Sequence, residues 1–138
     1  MRVLFDSSAL FVRYAGETGA SQVDALHVRA SAVVLAAHCQ AELMAALTRQ
    51  WREGAFGDDE FRRVRTRMRE DFEAYHVEPL SRTVEDFALA AMVLAPLGAA
   101  DALHIGSAQA ARVQLFVTAD PRQSVAAQAV GLRTECIA

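Results

Sequence analysis

Short apolar runs alternate with longer amphipathic stretches along this chain, and the spacing predicts strands and helices in turn. Strand signals fall at Arg2 to Phe5, Ala32 to Leu35, His76 to Leu80, Gln114 to Thr118 and Leu132 to Ile137. Helical spacing occupies Ser8 to Ala15, Thr18 to Leu26, His38 to Arg52, Asp58 to Ala74, Thr83 to Leu94, Ala102 to Arg112 and Pro121 to Val130. Strands separated by helices imply parallel connections and a sheet covered on both faces. The expected fold class is therefore α/β, with a central parallel sheet. Gly54 to Gly57 reads as a turn with Asp58 as the N-cap of the next helix, and Pro96-Leu97-Gly98 separates two further helices. No repeat, low-complexity tract or linker divides the sequence, so residues 1–138 are expected to form a single domain.

Four carboxylates stand beside apolar segments where packing alone gives them no role. Asp6 ends the run Val3-Leu4-Phe5, and Asp120 follows Leu115-Phe116-Val117-Thr118-Ala119, which places both just past the carboxyl ends of strands. That is where open α/β sheets bind ligands. Glu42 lies next to the apolar positions Cys39, Leu43, Ala46 and Leu47 of its helix. Asp101 opens a helix and shares a face with Ile105 and Ala108. Each acid also has a plain structural reading: Asp6, Asp101 and Asp120 as helix-capping or first-turn acids, stabilised by free N–H groups at about 0.5–2 kcal/mol, and Glu42 as a surface glutamate at the core's edge. Their joint placement favours convergence. Converging carboxylates repel one another and lose hydration, which raises their pKa values unless a cation joins them. An all-oxygen donor set without a cluster of Cys or His points to Mg²⁺ or Mn²⁺ rather than zinc.

The formal net charge of −3 argues against a nucleic-acid partner, but metal-bound acids would leave a formal balance of +1. All fourteen basic residues are arginine, the side chain suited to bidentate phosphate contacts, although a compositional bias of the source accounts for this equally well. In the helix from Asp58, Phe61, Val64, Met68 and Phe72 make an apolar stripe, while Arg62, Arg63, Arg65, Arg67 and Arg69 fill much of the remainder. These arginines read either as a solvated face or as a basic wall for RNA or an acidic partner, and the solvated face is favoured. His38 and Glu42, four apart on one helix, could share a metal, but no third nitrogen or sulfur ligand is apparent. His104 reads as a structural histidine or a proton carrier near Asp101; His27 and His76 carry no pattern. Cys39 and Cys136 are expected to be buried thiols without a disulfide. No stretch has the length and apolarity of a membrane span, and the chain opens at once on a strand and an acid, so the expected compartment is the cytoplasm. Phosphate-binding GxxxxGK, GxGxxG and GxSxG motifs are absent.

Val3-Leu4-Phe5-Asp6-Ser7-Ser8-Ala9-Leu10, Gln40-Ala41-Glu42-Leu43, Ala99-Ala100-Asp101-Ala102-Leu103-His104 and Phe116-Val117-Thr118-Ala119-Asp120 together resemble a PIN-domain protein, and in particular the VapC-like toxins of bacterial toxin–antitoxin pairs. Gly131-Leu132 before the last strand fits as well. The resemblance implies a three-layer α/β/α fold and a Mg²⁺- or Mn²⁺-dependent endoribonuclease. On it, Asp6, Glu42, Asp101 and Asp120 match the family's acidic quartet, with Ser7, Ser8 and Thr118 as polar neighbours of metal or phosphate. It further implies a homodimer and inhibition by a cognate antitoxin. A housekeeping RNA-processing nuclease and a non-catalytic α/β binding or regulatory domain remain as alternatives. A phosphatase of the haloacid-dehalogenase type is disfavoured, because Ser8 stands where its second Asp belongs and the chain has no lysine.

Overall fold

The computed structural model describes residues 1–138. Five strands, β1 (Arg2–Phe5), β2 (Ala32–Ala36), β3 (His76–Glu78), β4 (Leu115–Thr118) and β5 (Thr134–Cys136), form one parallel sheet in the order β3-β2-β1-β4-β5. Seven helices surround it: α1 (Ser7–Ala15), α2 (Ala20–Arg29), α3 (Cys39–Arg52), α4 (Asp58–Glu73), α5 (Arg82–Leu94), α6 (Ala99–Ala110) and α7 (Pro121–Ala129). The chain builds outward from β1 through β2 to β3, then returns to the other side of β1 for β4 and β5. Strand order therefore reverses between β1 and β4, which creates a crevice at their carboxyl ends.

Pleating explains the three layers. Successive side chains of a strand point to opposite faces, so Val3 and Phe5, Val33 and Leu35, and Leu115 and Val117 enter one core with residues of α1 to α4. Leu4, Val34 and Phe116 enter the other with Ala91, Ile105, Ala108, Ala126 and Ala127 of α5 to α7. Because both faces are covered, the three central strands are apolar without alternation. Each large apolar side chain so buried contributes about 1.5–3 kcal/mol, and this offsets the entropy of ordering the strands. The stripe Phe61, Met68 and Phe72 is buried, with Val64 packed at its margin.

The α/β/α class agrees with the sequence reading, and most boundaries shift by one to three residues. The largest shifts are three residues, at the end of α2, which runs to Arg29 rather than Leu26, and at the start of α6, which runs from Ala99 rather than Ala102. Gly98 is the N-cap, so Asp101 is the third residue of the helix instead of its opening acid. Gly57, not Asp58, caps α4; Asp58 lies in its first turn and accepts a hydrogen bond from Trp51 Nε1 at 2.9 Å. β3 and β5 are shorter than their apolar runs, since each edge strand has only one neighbour to pair with. Both cysteines are free; Cys39 is buried, whereas Cys136 on edge strand β5 is only half-buried.

Candidate metal and nuclease site

Asp6 leaves β1 at the crevice. Its backbone N–H donates to Val117 O of β4 at 3.0 Å, and its carboxylate caps α1 by accepting from Ala9 N at 3.0 Å. Ser8 Oγ donates to the same carboxylate at 2.6 Å and lies 3.2 Å from Thr118 Oγ1. Thr118 Oγ1 in turn accepts from Asp120 N at 3.0 Å. A continuous chain of polar contacts therefore joins Asp6 of β1 to Asp120 of the β4–α7 junction. Asp120 caps α7 by accepting from Arg122 N at 2.9 Å, with Pro121 at the first helical position where its missing N–H costs nothing.

The two helical acids sit on α3 and α6, which meet through the His104–Glu42 contact. Glu42, in the first turn of α3, receives three donors or candidate donors on one oxygen: Ser7 Oγ at 3.0 Å, His104 Nε2 at 2.6 Å and His38 Nε2 at 3.3 Å. Asp101 stands one turn before His104 on α6. Its peptide oxygen accepts from Gln123 Nε2 of α7 at 2.9 Å, while the neighbouring Ala100 oxygen contacts His38 Nε2 at 2.9 Å. His104 and Gln123 are both 1% exposed, which is low for such polar side chains and fixes α6 against α3 on one side and α7 on the other. Ser7 and Ser8 thus contact acids directly, and Thr118 reaches Asp6 through Ser8.

Electrostatics distinguish the acids. Burial pushes the Asp6 carboxyl above its ordinary range, despite the opposing influence of His104 and of its polar neighbours Ser8, Thr118 and Ala9. Asp6 forms none of the ion pairs in the molecule. Glu42 moves the other way, held below the usual carboxylate range first by the hydrogen bond from His104. An acid that is 3% exposed and forms no ion pair is short of positive charge. The one cluster of acids and histidines whose ligand atoms converge within 4.8 Å is His38, Glu42 and His104; Asp6, Asp101 and Asp120 lie outside it. The oxygen donors of Asp6, Asp101, Asp120 and Glu42 suit a hard divalent cation that keeps part of its hydration.

A cleft of about 330 Å³ opens beside these groups, lined by Ser7, Ser8, Glu17, Glu42 and Ala119 among others. A second cleft, of about 520 Å³, runs between α3 and α4 from Ala37 and Gln40 to Arg65 and Arg69. All five candidate contact arginines are exposed, but they do not make one wall. Arg62, Arg63 and Arg67 line a separate surface depression with Asp59 and Glu70, and Arg62 pairs weakly with Asp59 at 3.4 Å.

Sequence reasoning passed over Glu17 and Gln123, and it set His38 and His104 aside. A buried His on the inner face of α6, three residues after an acid, was the available signal for His104. Gln123 had none, because an isolated glutamine in a helix is ordinarily exposed.

A parallel five-stranded sheet with an acidic crevice at its switch point, flanked by helices on both faces, defines the class of fold. A sequence model of the PIN domain matches residues 3–129, and the chain belongs to that family. Among solved structures it is similar to a toxin–antitoxin complex from Klebsiella pneumoniae, at 19% identity and TM-score 0.66, covering 88% of each chain. It is also similar to FitAcB from Neisseria gonorrhoeae, at 15% identity and TM-score 0.73 over 96% of this chain and 95% of that one. A third is Mycobacterium tuberculosis VapC20, described as a sarcin–ricin loop cleaving toxin, at 18% identity and TM-score 0.67 over 90% of this chain and 94% of that one. At these identities the likeness is one of fold. No curated protein sequence matches significantly. No helix is long and apolar enough to cross a membrane.

Proposed function

We propose that the protein is a metal-dependent endoribonuclease that hydrolyses RNA phosphodiester bonds, and that it is the toxin of a toxin–antitoxin pair. The observation that carries this reading is Asp6, a buried carboxylate pushed above its normal pKa, without a cationic partner, at the sheet's switch point. Membership of the PIN family and the fold shared with VapC20 support the choice of RNA over other phosphodiesters.

Asp6 and Asp101 would hold Mg²⁺ or Mn²⁺ most directly, with Glu42 and Asp120 acting through water or around a second ion. When bound, such an ion neutralises charge on the scissile phosphate and lowers the pKa of an attacking water. Ser8 keeps Asp6 in one orientation through the 2.6 Å hydrogen bond, and Ser7 and His104 do the same for Glu42. Arg65 and Arg69 line the cleft between α3 and α4, where they would contact the RNA backbone or an acidic partner. Arg62, Arg63 and Arg67 would add general attraction from the far side of α4.

The partners proposed are a cognate antitoxin and a second copy of the chain. A cognate antitoxin is supported by the fold shared with a toxin–antitoxin complex. A homodimer is supported by the exposure of Leu89, Val93 and Leu94 on α5 and Val125 on α7, large apolar side chains left in solvent. Cytoplasmic residence accords with a ribonuclease and with free thiols. The test is cleavage of transfer and ribosomal RNA in Mg²⁺ and in EDTA. Wild-type protein should cut only with metal, and folded Asp6→Asn and Asp101→Asn variants should lose at least a hundredfold in rate. Undiminished metal-dependent cleavage by either variant contradicts the proposal.

A further inference from the structure

His38, Glu42 and His104 differ in donor chemistry from the rest of the crevice. Their ligand atoms all lie within 4.8 Å of one another, two of them imidazole nitrogens. The two rings pack with centroids 4.3 Å apart, and both Nε2 atoms address the same Glu42 oxygen, at 2.6 and 3.3 Å. Ligands on a tetrahedral ion with bonds near 2.1 Å stand about 3.4 Å from each other. The His38–Glu42 spacing already meets this value, and the His104–Glu42 contact need open by less than an ångström. Glu42 can supply that movement, because its side chain is 32% exposed and lies next to the cleft lined by Ser7 and Glu17. Two nitrogens and one carboxylate, with a position open toward the cleft, suit a borderline ion of the zinc type and offer little to Mg²⁺.

We propose that His38, Glu42 and His104 form a separate binding site for Zn²⁺ or a similar transition-metal ion, and that an ion held there withdraws Glu42 from the carboxylate set and inhibits RNA cleavage. The inhibitory half rests on the nuclease reading; the binding half does not. The oxygen that Ser7 now holds is the one both histidines address, so an ion between the histidines would draw it away from Ser7 and reorient the whole carboxylate. Affinity is limited by His104. Bound through Nε2, its ring carries the proton on Nδ1, which is buried without a hydrogen-bond partner. Zinc-ligating histidines normally donate that N–H to an outer acceptor, and loss of such a partner costs about 10- to 100-fold in affinity. The site therefore exchanges its ion rather than holding it as a permanent part of the fold.

The test is calorimetric titration of Zn²⁺ into the full-length protein in excess Mg²⁺, with Co²⁺ as a visible-absorption probe of nitrogen ligation. Wild-type protein should bind one Zn²⁺ per chain, and Co²⁺ should develop ligand-field bands that Zn²⁺ abolishes. His38→Gln changes a partly exposed helix-capping position, so it leaves the core intact; it should weaken Zn²⁺ binding by about 10- to 100-fold or more, as expected for losing a ligand rather than an outer partner. His104→Gln is the second variant and should do the same if its circular dichroism matches wild type. Absence of saturable Zn²⁺ binding, or equal binding by folded His38→Gln, overturns the site. Mg²⁺-dependent cleavage of RNA should fall as Zn²⁺ saturates the wild-type protein and resist the same Zn²⁺ in His38→Gln. Cleavage that persists in Zn²⁺-saturated wild type overturns the inhibition. Zn²⁺ bound through His38 in a protein that cuts no RNA with Mg²⁺ supports the site and overturns the nuclease reading.

Discussion

Asp6→Asn separates the cost of the acidic crevice from its use. Asparagine keeps an oxygen that can accept from Ala9 N and Ser8 Oγ, so the cap of α1 survives the change. What it removes is a negative charge on a side chain 3% exposed. Because burial raises the folded pKa of Asp6, its favourable contribution belongs to the protonated state and is lost as pH rises through that value. At neutral pH, without a cation, ionised Asp6 therefore opposes folding. The melting temperature of Asp6→Asn in EDTA should equal or exceed that of wild type. On the proposed metal-binding reading, divalent metal should reverse the order. At a Mg²⁺ concentration 100 times its dissociation constant, binding stabilises wild type by about 2.7 kcal/mol. For a chain of 138 residues this corresponds to a rise of about 10 °C. Asp6→Asn should gain only a small fraction of it. Thermal unfolding followed by circular dichroism, in EDTA and in Mg²⁺ at matched ionic strength, measures all four values. A variant that melts well below wild type in EDTA, or gains as much from Mg²⁺, refutes the reasoning.

Two further perturbations test the scaffold and its pH response. Gly106→Ala, ordinarily a stabilising change in a helix, should instead destabilise by about 1–3 kcal/mol in urea denaturation, because a Cβ there would collide with Val84 O and stand 3.0 Å from Ala88 N where α6 crosses α5; unchanged or improved stability would mean that the helices are not held this close. Burial lowers the pKa of His27, whose Nε2 lies 2.6 Å from Tyr75 Oη, so the stability it confers is complete above its ordinary value of 6.5 and lost as pH falls through the lowered one. Glu42, also lowered, adds a loss only below the ordinary carboxylate range. Asp6 acts in the opposite sense and His38 in the same one, so the test is the difference between the two proteins: the urea midpoint of wild type should fall relative to that of His27→Gln as pH goes from neutral to mildly acidic, and a constant difference contradicts the assignment.

How much of this was legible in the sequence follows from the kind of signal each feature leaves. Strands buried on both faces write uninterrupted apolar runs, so β1, β2 and β4 could be read along with the α/β class. Edge strands β3 and β5 could be located but not bounded, because their length depends on a single neighbour's register. The four acids stood out because each breaks an apolar context. Their neighbourhood was less visible: the contacts that fix Glu42, to Ser7 across 35 residues and to His104 across 62, are tertiary and leave no local spacing. The same limit hid His104 of α6 beside His38 and Glu42. Asp101 looked like a helix-opening acid because Ala99 and Ala100 carry no capping signal, and the helix begins at Gly98 without a side-chain cap.

The central proposal is that carboxylates from β1, α3, α6 and the β4–α7 junction draw together around a hard divalent cation. Anomalous diffraction from crystals of the protein grown with Mn²⁺ tests it most directly. The account predicts a manganese peak in the crevice between β1 and β4, within bonding distance of Asp6 and Asp101. A peak at another surface, or none at saturating Mn²⁺, would contradict it.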